Sequence, residues 1–201
     1  MKKVYFTKEI SKDSILKIYK VLEKELKGKV AVKVHSGEVG NQNFLGPELF
    51  KDVIDYVSGV VVECNTAYDG KRRNTSDHLE TMKLHGWSKY FKVDILDEKE
   101  DIILKINDGK HIEKNYVGAN LVNYDSMLVL SHFKGHPMGG FGGALKNISI
   151  GLASSYGKHI FTEQVILLKF GLLNVIVLSN QWRMLQNQLL IILKIILSLS
   201  M

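Results

Sequence analysis

The chain of 201 residues is 45% hydrophobic and 24% charged, a balance that excludes wholesale disorder and suits one soluble globular domain. Its single cysteine, Cys64, excludes a disulfide framework and cannot alone hold a structural zinc or an iron–sulfur cluster. The net charge of +6 suits an anionic small molecule but is too diffuse to argue for nucleic acid, and the start of the chain carries no apolar signal core, so a cytoplasmic location is expected.

Val4–Phe6 reads as a short first strand. Ile15, Ile18, Tyr19, Leu22 and Leu26 recur at helical spacing, with Ser11 or Asp13 available as a cap and Gly28 as a stop. Val30–Val34 is an apolar strand, and Pro47 opens a helix whose face is Leu49, Phe50, Val53, Ile54 and Val57. Val60–Cys64 is the next strand, and Ser76 is placed to cap a helix through about His85. From Tyr90 to Val117 the pattern alternates around the turn Asn107-Asp108-Gly109, which predicts a β-hairpin insertion. Ser126–Ser131 is a buried strand, followed by a glycine-rich loop and a helix from about Gly143. Strands alternating with helices, and strands that are apolar throughout, predict an α/β fold: a mostly parallel sheet flanked by helices, in one domain over residues 1–158.

In such sheets ligands gather beyond the carboxyl ends of the strands. Three strand exits carry chemistry-bearing residues: Lys33–Glu38, Cys64–Thr75 and Ser131–Asn147. In the second, Lys71, Arg72 and Arg73 open a helix and form a candidate anion site, because guanidinium forks and helix amides both suit phosphate or carboxylate. In the third, Gly139, Gly140, Gly142 and Gly143 surround Phe141 and would let the backbone approach a cofactor closely. His132 and His136 lie four apart and can trade protons or share a metal, and Lys146 follows on the first helical turn. His132, His136 and Lys146 are therefore the candidate catalytic residues. The pattern is neither a P-loop nor a dinucleotide fingerprint. His35, His78, His85 and His111 read as surface or core histidines, and Cys64 as a small core residue.

Residues 159–201 break with all this. They hold four charges (Glu163, Lys169, Arg183, Lys194), one glycine and 18 leucines or isoleucines among 43 residues. A membrane anchor is disfavoured because Lys169, Asn174, Asn180, Gln181 and Lys194 interrupt every apolar window. A buried strand-and-helix ending of the core is a second reading, and out-of-frame translation a third. His159–Ile166 can be spelled so that removing two thymidines gives H-I-H-R-A-G-D, and the same shift carried onward gives an amphipathic, charge-balanced segment. The tail is accordingly expected to be out-of-frame translation, with the chain truncated after about residue 160.

Three stretches carry a family resemblance: Val32–Glu38; Val62–Tyr68 with Arg72, Arg73, His78 and His85–Trp87; and Ser131–His136 continuing into Gly140–Asn147. Over roughly residues 1–160 the chain resembles the family built on domain of unknown function 362. Many members continue into a ferredoxin-like segment with two iron–sulfur clusters, so the resemblance implies a link to redox chemistry, and a redox protein as a possible partner. This chain lacks the cysteine ligands for such clusters, which leaves the cofactor unknown. One loop, His136 with Gly140–Lys146, is similar to the nickel-pincer lactate racemases. That similarity implies an acid/base role for His136 and a cofactor-anchoring role for Lys146, while the family's metal-ligand histidine after the lysine has no clear match. The expected function is binding of an anionic small molecule or cofactor at this loop, with proton-transfer or redox chemistry. The alternatives are a non-catalytic module docking a redox partner and a racemase-like enzyme.

Overall fold

Ser11 starts the first helix, α1 (Lys12–Val21), through a reciprocal cap: Ser14 N–H donates to Ser11 Oγ at 3.2 Å and Ser11 N–H donates to Ser14 Oγ at 3.1 Å. The computed structural model describes residues 4–23, 25–106, 113–136, 140–167 and 189–195. After α1 come strand β1 (Val30–Lys33), helix α2 (Pro47–Tyr56) with Pro47 in its first turn, and strand β2 (Val60–Glu63). Helix α3 (Thr75–Leu84) and the single turn α4 (Trp87–Tyr90) lead into strand β3 (Val93–Ile95). Strands β4 (Asp101–Lys105) and β5 (Lys114–Gly118) pair antiparallel, and a 3-10 turn then delivers β6 (Ser126–His132). Two three-residue strands, β7 (Lys134–His136) and β8 (Gly140–Gly142), form a miniature hairpin before helices α5 (Ala144–Ile148) and α6 (Ser155–Leu167) and strand β9 (Leu189–Ile195).

The main sheet runs β3-β2-β1-β6-β9, and every neighbouring pair in it is parallel. Successive side chains of a strand point to opposite faces, so both faces of this sheet can be apolar. On one face Val30, Val32 and Val61 pack with Ile15, Tyr19, Phe50, Ile54 and Trp87 from the helices. On the other, Ala31, Val62, Met127 and Val129 pack with Val117, Leu121, Ile148 and Leu152. The expected α/β architecture with a hairpin insertion is therefore present. Close backbone packing holds the hairpin to the sheet: a Cβ on Gly118 would lie 2.1 Å from the carbonyl carbon of Leu96.

Several local expectations shift. Residues 4–6 form no strand; Val4 and Phe6 lie in solvent, paired with no strand among the described residues. The cap of α3 is Asn74 rather than Ser76, because Asn74 Oδ1 accepts from Asp77 N–H at 2.9 Å. Val93–Ile95 belongs to the main sheet beside β2, so the hairpin proper is Asp101–Lys105 with Lys114–Gly118, and its expected turn at 107–109 lies outside the described residues. Helix α6 runs through position 158, and β9 pairs with the whole length of β6, Ser126 opposite Leu189 and His132 opposite Ile195. No helix among the described residues is long and apolar enough to cross a membrane.

Candidate anion pocket

Two charged residues end otherwise apolar strands: Lys33 closes β1 and Glu63 closes β2. Both are buried, and the Lys33 ammonium donates to Glu63 Oε2 at 2.6 Å, to Val34 O at 2.8 Å and to Asn147 Oδ1 at 2.9 Å, which uses all three of its donors. Glu63 Oε1 accepts from Ser36 N–H at 2.9 Å, Ser36 Oγ at 3.2 Å and Arg72 Nη1 at 3.4 Å. Burial alone would raise the Glu63 carboxyl, but Lys33 and Arg72 outweigh it and hold it far below the usual carboxylate range. Asn147 completes the web by donating to Ser131 Oγ at 2.9 Å. Residues from β1, β2, α5 and β6 are thus tied together where the strands end.

Beyond this web opens a cavity of about 280 Å³. Its walls carry five lysine and arginine side chains, Lys33, Arg72, Lys134, Lys146 and Lys158, against two carboxylates, Glu38 and Glu63. Both carboxylates are engaged: Glu63 as above, and Glu38 by Arg72 Nη2 and by Tyr68 Oη at 2.5 Å. Lys134, Lys146 and Lys158 have no carboxylate within ion-pair distance among the described residues. Burial and the neighbouring cations Lys134, Lys33 and Arg72 hold Lys146 below the ordinary lysine value. His35 also faces this cavity; burial and Arg72 push it down to about 3, so it is neutral at pH 7. Burial and Lys134 lower His132 as well, and its buried Nδ1 has no hydrogen-bond partner. Arg72 Nε is likewise buried without a partner.

The structure separates the expected basic cluster. Arg72 turns into the cavity and is buried, whereas Lys71 is exposed 4.0 Å from Asp77 and Arg73 pairs with Asp69 in solvent. The glycine loop divides as well: Gly142 and Gly143 line the cavity, with Gly143 at φ +150°, and Gly140 pairs with His136 across the β7–β8 hairpin. Gly139 lies outside the described residues, as does the side chain of His136. His132 and Lys146 share the cavity with Arg72. Lys33, His35, Glu38, Glu63 and Lys158 were missed as site residues, although a Lys and a Glu ending the Val-rich strands 30–34 and 60–64 were a readable signal.

These residues do not fit an iron–sulfur cluster. Cys64 is the one cysteine, its thiol donates to Leu152 O at 3.3 Å, and burial pushes it up to about 12. Among the described residues no group of three or more His, Cys, Asp or Glu side chains is arranged to hold a metal ion.

The fold is shared with the lactate racemase apoprotein from Thermoanaerobacterium thermosaccharolyticum, at a TM-score of 0.57 and 15% identity. The similarity covers 92% of this chain and 49% of that one, so this chain spans about half the length of the racemase. At that identity the likeness speaks for the fold alone. No curated protein matches the sequence. The family model described as Domain of unknown function (DUF362) matches residues 30–197, most of the chain, and the protein belongs to that family.

Proposed function

We propose that the protein binds a small anion, a carboxylate or a phosphate, in the cavity at the carboxyl ends of β1, β2 and β6. One observation carries this reading: the cavity is lined by five lysine and arginine side chains and two carboxylates, and both carboxylates are consumed by Lys33 and Arg72. Lys134 and Lys146 then face the cavity with uncompensated charge, which a bound anion neutralises. The position agrees with the general rule that open α/β sheets bind ligands beyond their strand ends.

A second reading adds proton transfer to binding. Its support is the shared fold with a lactate racemase together with His132, a neutral imidazole on the cavity wall with an unused Nδ1. In that reading His132 and His136 exchange a proton with the carbon beside a carboxylate held by Lys146.

The anion reading is tested by titrating the protein with phosphate and with pyruvate, against chloride at equal ionic strength, while following the melting temperature and the heat of binding. Saturable stabilisation by either anion, lost in Lys146→Met, is the expected result. A response no larger than that to chloride overturns it and leaves the redox-docking module as the alternative. The proton-transfer reading is tested by solvent deuterium incorporation at C2 of lactate, expected with the wild type and absent from His132→Asn. Saturable binding without exchange removes it.

A further inference from the structure

Lys158 differs from the other buried lysine of the pocket. Lys33 is buried with a carboxylate partner and three satisfied donors, whereas Lys158 Nζ donates to one neutral acceptor, Asn65 O, at 2.5 Å. Lys158 stands on α6, 9% exposed, and lines the same cavity as Lys146, Lys134 and Arg72. No carboxylate lies within ion-pair distance of it among the described residues. The charges nearest in effect are already committed. Asp97 accepts from Asn65 N–H and Ser155 N–H at 2.8 Å each, Glu63 is paired with Lys33, and Cys64 is a neutral thiol. A buried ammonium without a counter-ion is far more costly than a buried neutral amine, so this setting shifts the group toward its neutral form. Burial accordingly holds Lys158 below the ordinary lysine value. The Asn65 carbonyl takes one N–H and fixes the amine in the wall of the cavity.

Resting on the anion reading above, we infer that the pocket takes anionic aldehydes or 2-oxo acids and that Lys158, a buried amine with one backbone acceptor and no counter-ion, condenses with their carbonyl carbon. The step balances without an oxidant. The Nζ lone pair forms the C–N bond, the carbonyl oxygen takes up the two amine protons and leaves as water, and an imine remains. Lys134 and Lys146 hold the carboxylate or phosphate end of the same molecule.

The experiment uses the whole chain and pyridoxal 5′-phosphate, an aldehyde carrying a phosphate, with cyanoborohydride to reduce any imine to a stable secondary amine. Peptide mapping by mass spectrometry then locates the adduct. The expected result is modification of Lys158 several-fold above exposed Lys71, since burial lowers the Lys158 pKa and enlarges its reactive amine fraction. Inorganic phosphate in excess suppresses it, and Lys158→Arg, checked for folding by circular dichroism, loses it. Adducts spread over exposed lysines, an adduct on Lys146 in place of Lys158, or modification indifferent to phosphate each overturn the inference. If phosphate binds saturably and Lys158 stays unmodified, the imine inference fails alone. If phosphate does not bind either, the anion reading falls with it. The mapping is read on the wild-type protein, so it stands even where a Lys158 variant does not fold.

Discussion

Lys33 Nζ lies 2.6 Å from Glu63 Oε2 across the ends of two neighbouring parallel strands, with side chains 1% and 4% exposed. Such a pair is weak evidence for stability as a unit, yet breaking it is expensive, because the surviving charge stays buried. Glu63 also faces Arg72 and both hydrogen-bonding groups of Ser36, so removing its charge strands two cations at once. Glu63→Gln is expected to destabilise the protein by about 3–5 kcal/mol in urea unfolding. Lys33→Met combined with Glu63→Leu is expected to cost less than the sum of the single changes. Strict additivity would show that the two side chains are not coupled.

Stability is expected to fall with acid. His78 is buried, with Nδ1 3.2 Å from Asn65 Oδ1, and burial pushes its pKa down to about 4. The unfolded chain takes up this proton near pH 6.5 and the folded chain near 4. Between those values the unfolded state binds more protons, so stability is lost as pH falls through that window, by on the order of 3 kcal/mol. Glu63, whose folded pKa is depressed, acts in the same direction: its contribution is present above its unfolded value and is lost as pH falls below it. Melting temperature against pH in the wild type and in His78→Asn checks this. An unchanged slope between pH 6.5 and 4 in the variant would remove His78 from the explanation.

The split of the basic cluster makes a contrast. Lys146→Met is expected to weaken phosphate binding about tenfold, the loss of roughly one charge-assisted hydrogen bond. Lys71→Ala and Arg73→Ala, at exposed positions paired with Asp77 and Asp69, are expected to leave the affinity within about twofold. Calorimetric titration of the three variants decides it, and equal losses in all three would place the anion outside the cavity.

Gly157 sits beside Lys158, and a Cβ there would meet the Tyr116 carbonyl oxygen at 2.3 Å. Gly157→Ala is therefore expected to push α6 away from β5 at a cost of about 1–3 kcal/mol. Because the shift moves Lys158, its reductive trapping should fall as well. A variant as stable and as reactive as the wild type would contradict the close approach.

We propose that a two-base frame change near residue 160 underlies the apolar tail. Resequencing the gene across codons 155–165 is expected to reveal two thymidines too many, and protein made from the restored frame is expected to aggregate less. A confirmed sequence refutes the idea and makes the tail a native part of the family member.

Helices and strands were legible where periodicity is local. The helical stripe of Ile15, Ile18, Tyr19 and Leu22, the proline opening α2 and the continuous apolar strands each depend on neighbours within a turn or a pleat. The three strand exits were legible for the same reason, since the end of an apolar run is visible in the letters themselves. Where those letters misled, at Val4–Phe6 and at Val93–Ile95, the deciding factor was whether a sheet edge lay beside them. The site's electrostatics could not be read in this way. Lys33 meets Glu63 across 30 positions, Asn147 across 114, and Lys158 reaches Asn65 across 93. The alternation of apolar strands with helical stripes determined an α/β domain, and composition gave it cations to spare; only the parallel stacking of β2, β1 and β6 decided which cations are buried, which are already neutralised, and which are left to meet a ligand.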